Sequence, residues 1–385
     1  MNVAIEGCCH GELDLIYRRI KEKEAKDNIK IDILLCCGDF QAIRDELDLE
    51  DLCCPPKYKR YNDFKDYYNG IKEAPLLTIF VGGNHEAPAL LKELYFGGWI
   101  AKNIYYMGHS GIVNVNGLRI AGISGIYNFN NYTCGYFETQ PYDRSTKRSA
   151  YHVREFDVKK LELVKEPVDI FISHDWPRGI EQIGNVKDLL RAKPGLRHDV
   201  ERNRLGNPYT RDLLQKLKPR YWFAAHMHVK FDATVKHDTG ETYFLALDKP
   251  VGQRHFIEFM NIEPVGRQKR KQEMPVELCY DVEWLAIVKA NHQKMPLNAF
   301  PSSVSINLIE PERYHGKAVL DALQNEQCEQ AFSGEGKLYK IKEPTDCCIK
   351  HPNRQREAFM KMLDLDNNAY FSPTSEPKLS VKFKA

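Results

Sequence analysis

The sequence lacks an apolar run long enough to cross a bilayer, and its first apolar segment, beginning at Val3, is predicted to be a strand. We therefore expect no membrane-spanning helix and no signal peptide. An excess of one charge is also missing, because 55 Lys and Arg face 53 Asp and Glu, for a formal net charge of +2. A near-neutral chain is not a general polyanion binder, so any nucleic-acid contact requires a local basic patch.

A recognisable disulfide framework is missing as well, although cysteine itself is abundant. The 11 cysteines are odd in number, and eight stand in adjacent pairs, namely Cys8-Cys9, Cys36-Cys37, Cys53-Cys54 and Cys347-Cys348. Neighbouring residues of a strand point to opposite faces, so an adjacent pair does not indicate an internal disulfide. We expect a reduced, intracellular protein in which most cysteines are small buried side chains, with Cys8 as the exception.

The length and the composition fit a globular protein. With 385 residues, the chain can form one large domain and a smaller one. Hydrophobic residues make up 43% and charged residues 28%, as in ordinary soluble proteins. Short apolar runs alternate with segments of helical periodicity, which predicts an α/β fold.

Five predicted strands end at turns that contain potential metal ligands. The strands and their residues are 2–6 with Cys8 and His10, 31–37 with Asp39, 76–81 with Asn84 and His85, 168–173 with His174, and 220–225 with His226 and His228. Taken singly, each residue has a structural explanation, such as a buried cysteine beside a loop histidine, a turn aspartate or a core histidine. Their recurrence at five strand ends favours a metal site.

The residue types suit metal ions and a proton donor. Thiolates and imidazoles bind transition metals, and the two oxygens of Asp39 can bridge two cations. Asn84 offers a neutral amide oxygen, and His85 beside it can transfer a proton near neutral pH. Phosphoester hydrolysis requires such a pair of metal ligand and proton donor. Alternation along the turn leaves open whether Cys8 or Cys9 faces the metals.

The segment 127–151 mixes aromatic and basic side chains without a helical or strand period. Irregular segments of this length are uncommon in compact domains unless they have a function. Aromatic rings stack on unpaired bases and cations pair with phosphates. The candidate substrate-binding residues are Tyr127, Phe129, Tyr132, Tyr136, Arg144, Lys147 and Arg148. The alternative is a structured surface loop whose tyrosines pack on the core.

Other predicted elements connect the five strands. Helices are predicted at 59–71, 157–164, 209–217 and 354–363, and short strands at 103–106, 111–115 and 118–124. The basic segment 191–204 is predicted to be a loop, and a strand or hairpin begins at 276. The basic residues of 267–271 form either a nuclear localisation signal or a solvated linker.

The ordered series Cys8-x-His10, Gly38-Asp39, Gly83-Asn84-His85-Glu86, His174 and His226-x-His228 resembles the binuclear metallophosphoesterases of the calcineurin-like superfamily. Further motifs closely resemble the RNA lariat debranching enzymes. These are Gly-Cys-Cys-His-Gly at 7–11, Gly-Asp-Phe-Gln-Ala-Ile-Arg at 38–44, Tyr-His-Val-Arg at 151–154, Ser-His-Asp-Trp-Pro at 173–177 and Ala-His-Met-His-Val at 225–229. The superfamily usually has Asp at the position of Cys8 and Gly at that of Ala225.

This resemblance implies a four-layer αββα sandwich with two mixed sheets. The implied domains are a metallophosphoesterase domain at 1–262, with an inserted lariat recognition loop at 127–151, and a smaller C-terminal domain at 263–350, followed by a helix and polar tail at 351–385. The implied reaction is hydrolysis of the 2′–5′ phosphodiester at the branch point of excised intron lariat RNA. We expect the protein to act in the nucleus, with the cytoplasm as a second compartment, and to make no contact with a membrane. The sequence does not indicate an oligomeric state.

The resemblance also implies the role of each ligand. Cys8, His10, Asp39 and His228 would hold one divalent metal, and Asp39, Asn84, His174 and His226 would hold the other. Metal-bound hydroxide would attack the phosphorus while His85 protonates the departing 2′ oxygen as general acid. Because a thiolate is a soft ligand, Cys8 favours Fe²⁺ or Zn²⁺ over Mg²⁺, and Mn²⁺ is expected to support activity.

Two other functions compete with this interpretation. A protein serine/threonine phosphatase of the superfamily would have Gly-Asp-x-Val-Asp-Arg-Gly, whereas here Phe-Gln-Ala-Ile-Arg follows Asp39. A non-catalytic scaffold would need neither a complete ligand set nor His85. Both observations favour a debranching hydrolase.

Overall fold

The structure, a computed structural model, describes residues 1–264, 275–325, 330–333, 336–343, 349–366 and 371. Its strands are β1 Asn2–Glu6, β2 Ile33–Cys36, β3 Leu77–Phe80, β4 Gly98–Ala101, β5 Ile104–Tyr106, β6 Ser110–Val115, β7 Leu118–Ile123, β8 Ile170–Ser173, β9 Tyr221–Ala224, β10 Phe231–His237, β11 Gly240–Ala246, β12 Ile257–Asn261, β13 Leu278–Tyr280, β14 Gln330–Ser333 and β15 Gly336–Lys340. Its α-helices are α1 Leu13–Asp27, α2 Glu46–Asp51, α3 Phe64–Tyr68, α4 Pro88–Glu93, α5 Arg144–Ser149, α6 Glu155–Glu162, α7 Val186–Ala192, α8 Arg197–Glu201, α9 Pro208–Leu217, α10 Val282–Asn291, α11 Arg313–Asn325 and α12 Pro352–Met362. None of these helices is long and apolar enough to cross a membrane.

Two mixed sheets form the centre of the molecule. The first has six strands in the order β12-β1-β2-β3-β5-β4, and the second has nine in the order β10-β11-β9-β8-β7-β6-β13-β15-β14. Strands β1, β2, β3 and β5 are parallel neighbours, and so are β7, β8, β9 and β11. Antiparallel strands extend both parallel groups, which confirms the predicted mixed α/β architecture.

Alternate residues of a strand face different apolar layers, as the pleat requires. Val3 and Ile5 of β1 belong to a cluster shared by the two sheets, whereas Ala4 packs with side chains of α1. In β8, Ile170 faces the shared cluster and Phe171 packs with side chains of α6 and α9. Helix, sheet, sheet and helix therefore form the four layers that were predicted.

The register places the ends of the parallel strands level with one another. Glu6 of β1 lies opposite Cys36 of β2, which lies opposite Phe80 of β3. In the second sheet, Ile172 of β8 lies opposite Phe223 of β9. The turns that follow these strands therefore leave the sheets at a common edge, where the predicted ligands meet.

The C-terminal part of the chain is built onto both sheets. Strand β13 pairs with β6 and continues the second sheet through β15 and β14. Helix α12 reaches the first sheet, where the Gln355 side chain accepts from the Trp99 N–H at 2.9 Å and donates to the Trp99 carbonyl at 2.7 Å. This pairing covers the outer edge of β4, which would otherwise expose unpaired backbone groups.

Several predicted elements differ from the structure. The helix expected at 59–71 is reduced to α3, because Asn62 is used to bond the His10 carbonyl at 2.7 Å. The basic loop expected at 191–204 is largely helical, through α7 and α8. The segment 127–151, expected to be irregular, contains α5, whose start is capped by the Asp143 side chain. The possible localisation signal at 267–271 lies outside the described residues.

Candidate metal centre

Four predicted ligands form one compact group at the common edge of the sheets. One ligand atom from each of Cys8, His10, Asp39 and His228 lies within 4.8 Å of the other three. The Nε2 atoms of His10 and His228 are 3.3 Å apart, and His10 Nε2 is 3.7 Å from Asp39 Oδ2. Sulfur, nitrogen and oxygen donors at this spacing can surround one divalent transition metal.

Cys8, and not Cys9, faces this group. The Cys8 sulfur accepts a hydrogen bond from the His226 N–H at 3.1 Å. Cys9 points to the opposite side, into the apolar cluster between the first sheet and α1. Burial, and then the charge of Asp39, raise the pKa of the Cys8 thiol well above its usual value. The metal-free thiol is therefore protonated at neutral pH, and metal binding must release its proton.

The remaining predicted ligands meet on the other side of Asp39. His174 Nε2 lies 3.3 Å from Asp39 Oδ1 and 3.3 Å from Asn84 Oδ1. The ring of His226 is close by, with its centroid 5.0 Å from that of His174. His174 Nδ1 lies 2.7 Å from the Cys37 carbonyl. Nδ1 therefore carries the proton in that bond, which leaves Nε2 facing Asp39 and Asn84. Although burial alone would lower it, the pKa of His174 is raised by Asp39, so a cation bound at Nε2 would take the place of a proton.

The electrostatics of the site favour cations. Asp39 Oδ2 is buried without a hydrogen-bond partner, and an orphaned carboxylate oxygen of this kind is costly unless a cation binds it. Although burial alone would raise it, the pKa of Asp39 is held well below its usual value by His174, His85 and His10. Burial lowers the pKa of His10 to about 4 and that of His228, with help from Lys249, to about 3. Both imidazoles are therefore neutral and able to bind metal at physiological pH.

The backbone is strained where it presents the ligands. His10, Asp39, His226 and His228 all have positive φ values, of 47°, 47°, 62° and 50°. Residues other than glycine adopt this left-handed region infrequently, and such conformations cluster at functional sites. Gly83 provides space beside these turns, because a Cβ there would lie 2.2 Å from Asp39 Oδ1 and 2.8 Å from His174 Nε2.

Sequence reasoning missed three residues that position the ligands. The Glu86 carboxylate accepts the backbone N–H groups of Phe40 at 2.7 Å, Gln41 at 2.9 Å and Gly83 at 3.0 Å, so it ties together the turns after β2 and β3. The Gln41 side chain lies 3.4 Å from His10 Nδ1, and Asn62 donates to Gln41 Oε1 at 3.2 Å. The motifs at 38–44 and 82–86 contain Gln41 and Glu86, but Asn62 has no local signal.

His85 stands beside the metal group at the wall of a cleft. Its backbone N–H donates to Asp39 Oδ1 at 2.8 Å, and its ring centroid lies 5.4 Å from that of His10. His85, His10 and His228 are among the residues that line an open cleft of about 330 Å³. The predicted proton donor is therefore half-exposed and borders space that a substrate can enter.

The predicted substrate-binding residues are not all placed alike. Tyr132 is buried and stacks on Tyr209 with a centroid distance of 3.6 Å, and buried Tyr136 donates its hydroxyl proton to Asp157. These two rings therefore pack in the core, as expected if the segment is a structured surface loop. Lys147 pairs with Asp51 at 3.1 Å. The half-buried Tyr127 ring lies 5.4 Å from the Arg178 guanidinium, whereas Phe129 is 80% exposed and Arg144 and Arg148 are exposed.

Hydrogen bonds tie the base of this segment to the metal turns. The Gly125 N–H donates to the Gly82 carbonyl at 2.8 Å. The Tyr127 N–H donates to the Asp175 carboxylate at 3.1 Å, next to the ligand His174. The segment 127–151 therefore rises directly from the turns that hold the predicted ligands.

Comparison with known proteins identifies the family. Residues 1–230 match the family described as calcineurin-like phosphoesterase, and residues 239–368 match the lariat debranching enzyme C-terminal domain. The lariat debranching enzyme of Arabidopsis thaliana is 48% identical over 307 residues, which cover 79% of this chain and 72% of that protein. The chain belongs to the lariat debranching enzyme family. This confirms the resemblance inferred from the motifs.

Vertebrate members of the lariat debranching enzyme family are similarly close. Lariat debranching enzyme A of Xenopus laevis is 52% identical over 296 residues, covering 75% of this chain and 54% of that protein. The lariat debranching enzyme of Homo sapiens is 50% identical over 297 residues, with 75% and 54% coverage. The chain spans about half the length of these two relatives. The calcineurin-like phosphoesterases use divalent metals, and the donor set found here fits that chemistry.

Proposed function

We propose that this protein hydrolyses the 2′–5′ phosphodiester at the branch point of excised intron lariat RNA, so that the lariat becomes linear. One observation supports the chemistry: a compact group of sulfur, nitrogen and oxygen donors lies near His85, which lines an open cleft. The family membership supplies the substrate class.

The ligands divide into two sets that share Asp39. Cys8, His10 and His228 would hold one cation with Asp39 Oδ2, the oxygen that has no hydrogen-bond partner. Asn84, His174 and His226 would hold the second on the side of Asp39 Oδ1. Two divalent cations between these sets would offset the charge of the phosphate and acidify a water molecule.

His85 would act as the general acid. A departing ribose oxygen is a poor leaving group unless it receives a proton, and a half-exposed histidine beside the metal group can supply one. The hydrogen bond from the His85 N–H to Asp39 fixes the backbone of the proton donor to the carboxylate that both ligand sets share. The 2′ oxygen would leave as a hydroxyl group, and the released strand would keep a 5′ phosphate.

The first ligand set favours soft transition metals. A thiolate prefers Fe²⁺ or Zn²⁺ to Mg²⁺, and we propose one or both of these ions as the physiological metals, with Mn²⁺ able to support turnover. Among the candidate substrate-binding residues of the segment 127–151, the exposed Phe129, Arg144 and Arg148 are proposed to contact the RNA. A nuclear location is proposed on the basic residues at 267–271, with the cytoplasm as a second compartment.

The test uses a branched RNA with one 2′–5′ linkage and a matched linear RNA with 3′–5′ linkages only. Wild type supplied with metal should cut the branch bond alone, and His85→Ala should lose about 10²- to 10⁴-fold in rate. His198→Ala is the matched control, because His198 is an exposed histidine of α8. Equal cleavage of both RNAs would contradict the specificity, and activity confined to phosphopeptides would favour a protein phosphatase.

A further inference from the structure

The cleft beside the metal group is lined by more than metal ligands. Besides His85, His10 and His228, its lining includes Tyr58, Arg60 and Lys249. The last three belong to two separate loops, one between α2 and α3 and one after β11, and neither is part of the segment 127–151. The cleft, of about 330 Å³, is of the size of a small-ligand site.

Lys249 is held next to the Cys8 turn with its charge directed at the cleft. The Cys8 N–H donates to the carbonyl of the preceding residue, Asp248, at 3.3 Å. The Asp248 carboxylate is itself paired with Arg254 at 3.0 Å. Within the described residues, no carboxylate forms an ion pair with Lys249. Lys249 lines the same cleft as His10 and His228.

Tyr58 offers the cleft an accessible aromatic ring. It ends the 3₁₀ turn Pro56–Tyr58 and is 58% exposed. Arg60 is also exposed and forms a surface pair with Glu12 at 3.2 Å. The Lys57 ammonium lies 4.8 Å from the centroid of the Tyr58 ring, and Arg60 and Lys249 line the same cleft. An exposed ring accompanied by cationic side chains is an arrangement that binds a base and its phosphates. An accessible pair such as Arg60–Glu12 contributes little to stability, so Arg60 can exchange its partner for a phosphate at small cost.

The position of His85 decides which part of the substrate enters. If His85 protonates the departing 2′ oxygen, as in the proposed function on which this inference rests, the ribose that carries that oxygen must lie against His85. That ribose belongs to the branch-point nucleotide. Its 3′ oxygen, the immediate neighbour of the leaving oxygen, carries a second phosphodiester, which a linear 2′–5′ linkage does not have.

We propose that this cleft binds the branch-point nucleotide, with Lys249 pairing with its 3′ phosphodiester and Tyr58 stacking on its base. Lys249 is then a specificity-determining residue, because it recognises the second phosphate that distinguishes a branch from a simple 2′–5′ linkage. Arg60 contributes positive charge at the mouth of the cleft.

Binding is measured separately from cleavage. Two fluorescent branched RNAs carry a triazole in place of the scissile phosphodiester, and one of them ends at the branch nucleotide with a free 3′ hydroxyl. With metal-loaded wild type, anisotropy should show about tenfold tighter binding when the 3′ phosphodiester is present.

Lys249→Met should bring the two affinities to within about twofold, and should reduce the salt dependence of binding by about one phosphate contact. Lys21→Met, on the exposed side of α1, is the matched control and should preserve the tenfold preference.

Tyr58 is tested with two variants. Tyr58→Ala should weaken binding of both analogues by about 10-fold, whereas Tyr58→Phe, which keeps the ring, should restore it. The assignment of Lys249 would be overturned if Lys249→Met still bound the analogue with the 3′ phosphodiester about tenfold more tightly. It would also be overturned if wild type bound the two analogues equally. Unchanged affinity in Tyr58→Ala would overturn the stacking. Cleavage of the native branched RNA by wild type is recorded in parallel, so that a protein that binds the analogues but does not cut the branch counts against the proposed function alone.

Discussion

Replacing Gly83 with alanine should damage the metal centre specifically. The added Cβ would lie 2.2 Å from Asp39 Oδ1 and 2.4 Å from the Asp39 backbone nitrogen, whereas real Cβ atoms are essentially never found within 3.0 Å of another heavy atom, so both the carboxylate and the backbone of Asp39 must move. Asp39 cannot retreat freely, because its backbone has a positive φ and its Oδ1 accepts the His85 N–H at 2.8 Å. The methyl group would also press on His174 Nε2 from 2.8 Å.

A displacement of about 1 Å at a catalytic group can reduce the rate by about 10²-fold. We therefore expect Gly83→Ala to lose about 10- to 100-fold in kcat/KM on branched RNA, with a similar loss of metal affinity measured by competition with a chelating dye. The neighbouring Gly82→Ala is the matched control, because its Cβ would contact the Leu91 side chain at 2.8 Å and no predicted ligand. It should lower the melting temperature and keep the metal affinity. Equal metal affinities for the two variants would refute the proposed geometry.

Three further predictions concern the metal and the RNA. Cys8→Asp should shift the metal preference of activity from Zn²⁺ towards Mn²⁺ or Mg²⁺, since a carboxylate is a harder ligand than a thiolate; unchanged preference in metal titrations would contradict it. Burial and Asp39 raise the pKa of the Cys8 thiol, so metal binding displaces its proton and apparent Zn²⁺ affinity should rise with pH, up to about tenfold per unit between pH 6 and 8. Cys8→Ser should flatten that slope in calorimetric titrations. Gly135→Ala should loosen the segment 127–151, because its Cβ would lie 2.4 Å from the Pro296 carbonyl; RNA affinity should fall while metal affinity stays.

The sequence was most informative where a local pattern of residues predicted a single strand or turn. Apolar runs located β1, β2, β3, β8 and β9, and glycines marked the turns after the first three. The order of ligands along the chain indicated the metal group before any geometry was known. Whether Cys8 or Cys9 faces the metals could not be predicted, because the answer depends on the positive φ at His10 and on the packing of Cys9 behind β1.

Long-range contacts were the least predictable part. Helical spacing at 59–71 was overridden by the bond from Asn62 to the His10 carbonyl, which holds the residues before α3 out of a helix. Tyr132 and Tyr136 have the composition of a nucleic-acid surface, but their partners Tyr209 and Asp157 are distant in sequence and take both side chains into the core. Lys249 has no motif at all, and it reaches the cleft only because the loop after β11 packs on the Cys8 turn.

The most direct measurement of the central claim is the chemistry of the cut ends. A branched RNA is incubated in ¹⁸O-labelled water with the metal-loaded protein, and the products are analysed by mass spectrometry. The proposed reaction breaks the bond between phosphorus and the 2′ oxygen, so the label should appear in a 5′ phosphate and the branch nucleotide should carry an unlabelled 2′ hydroxyl. A 2′ phosphate, a cyclic phosphate or an intact branch would contradict the account.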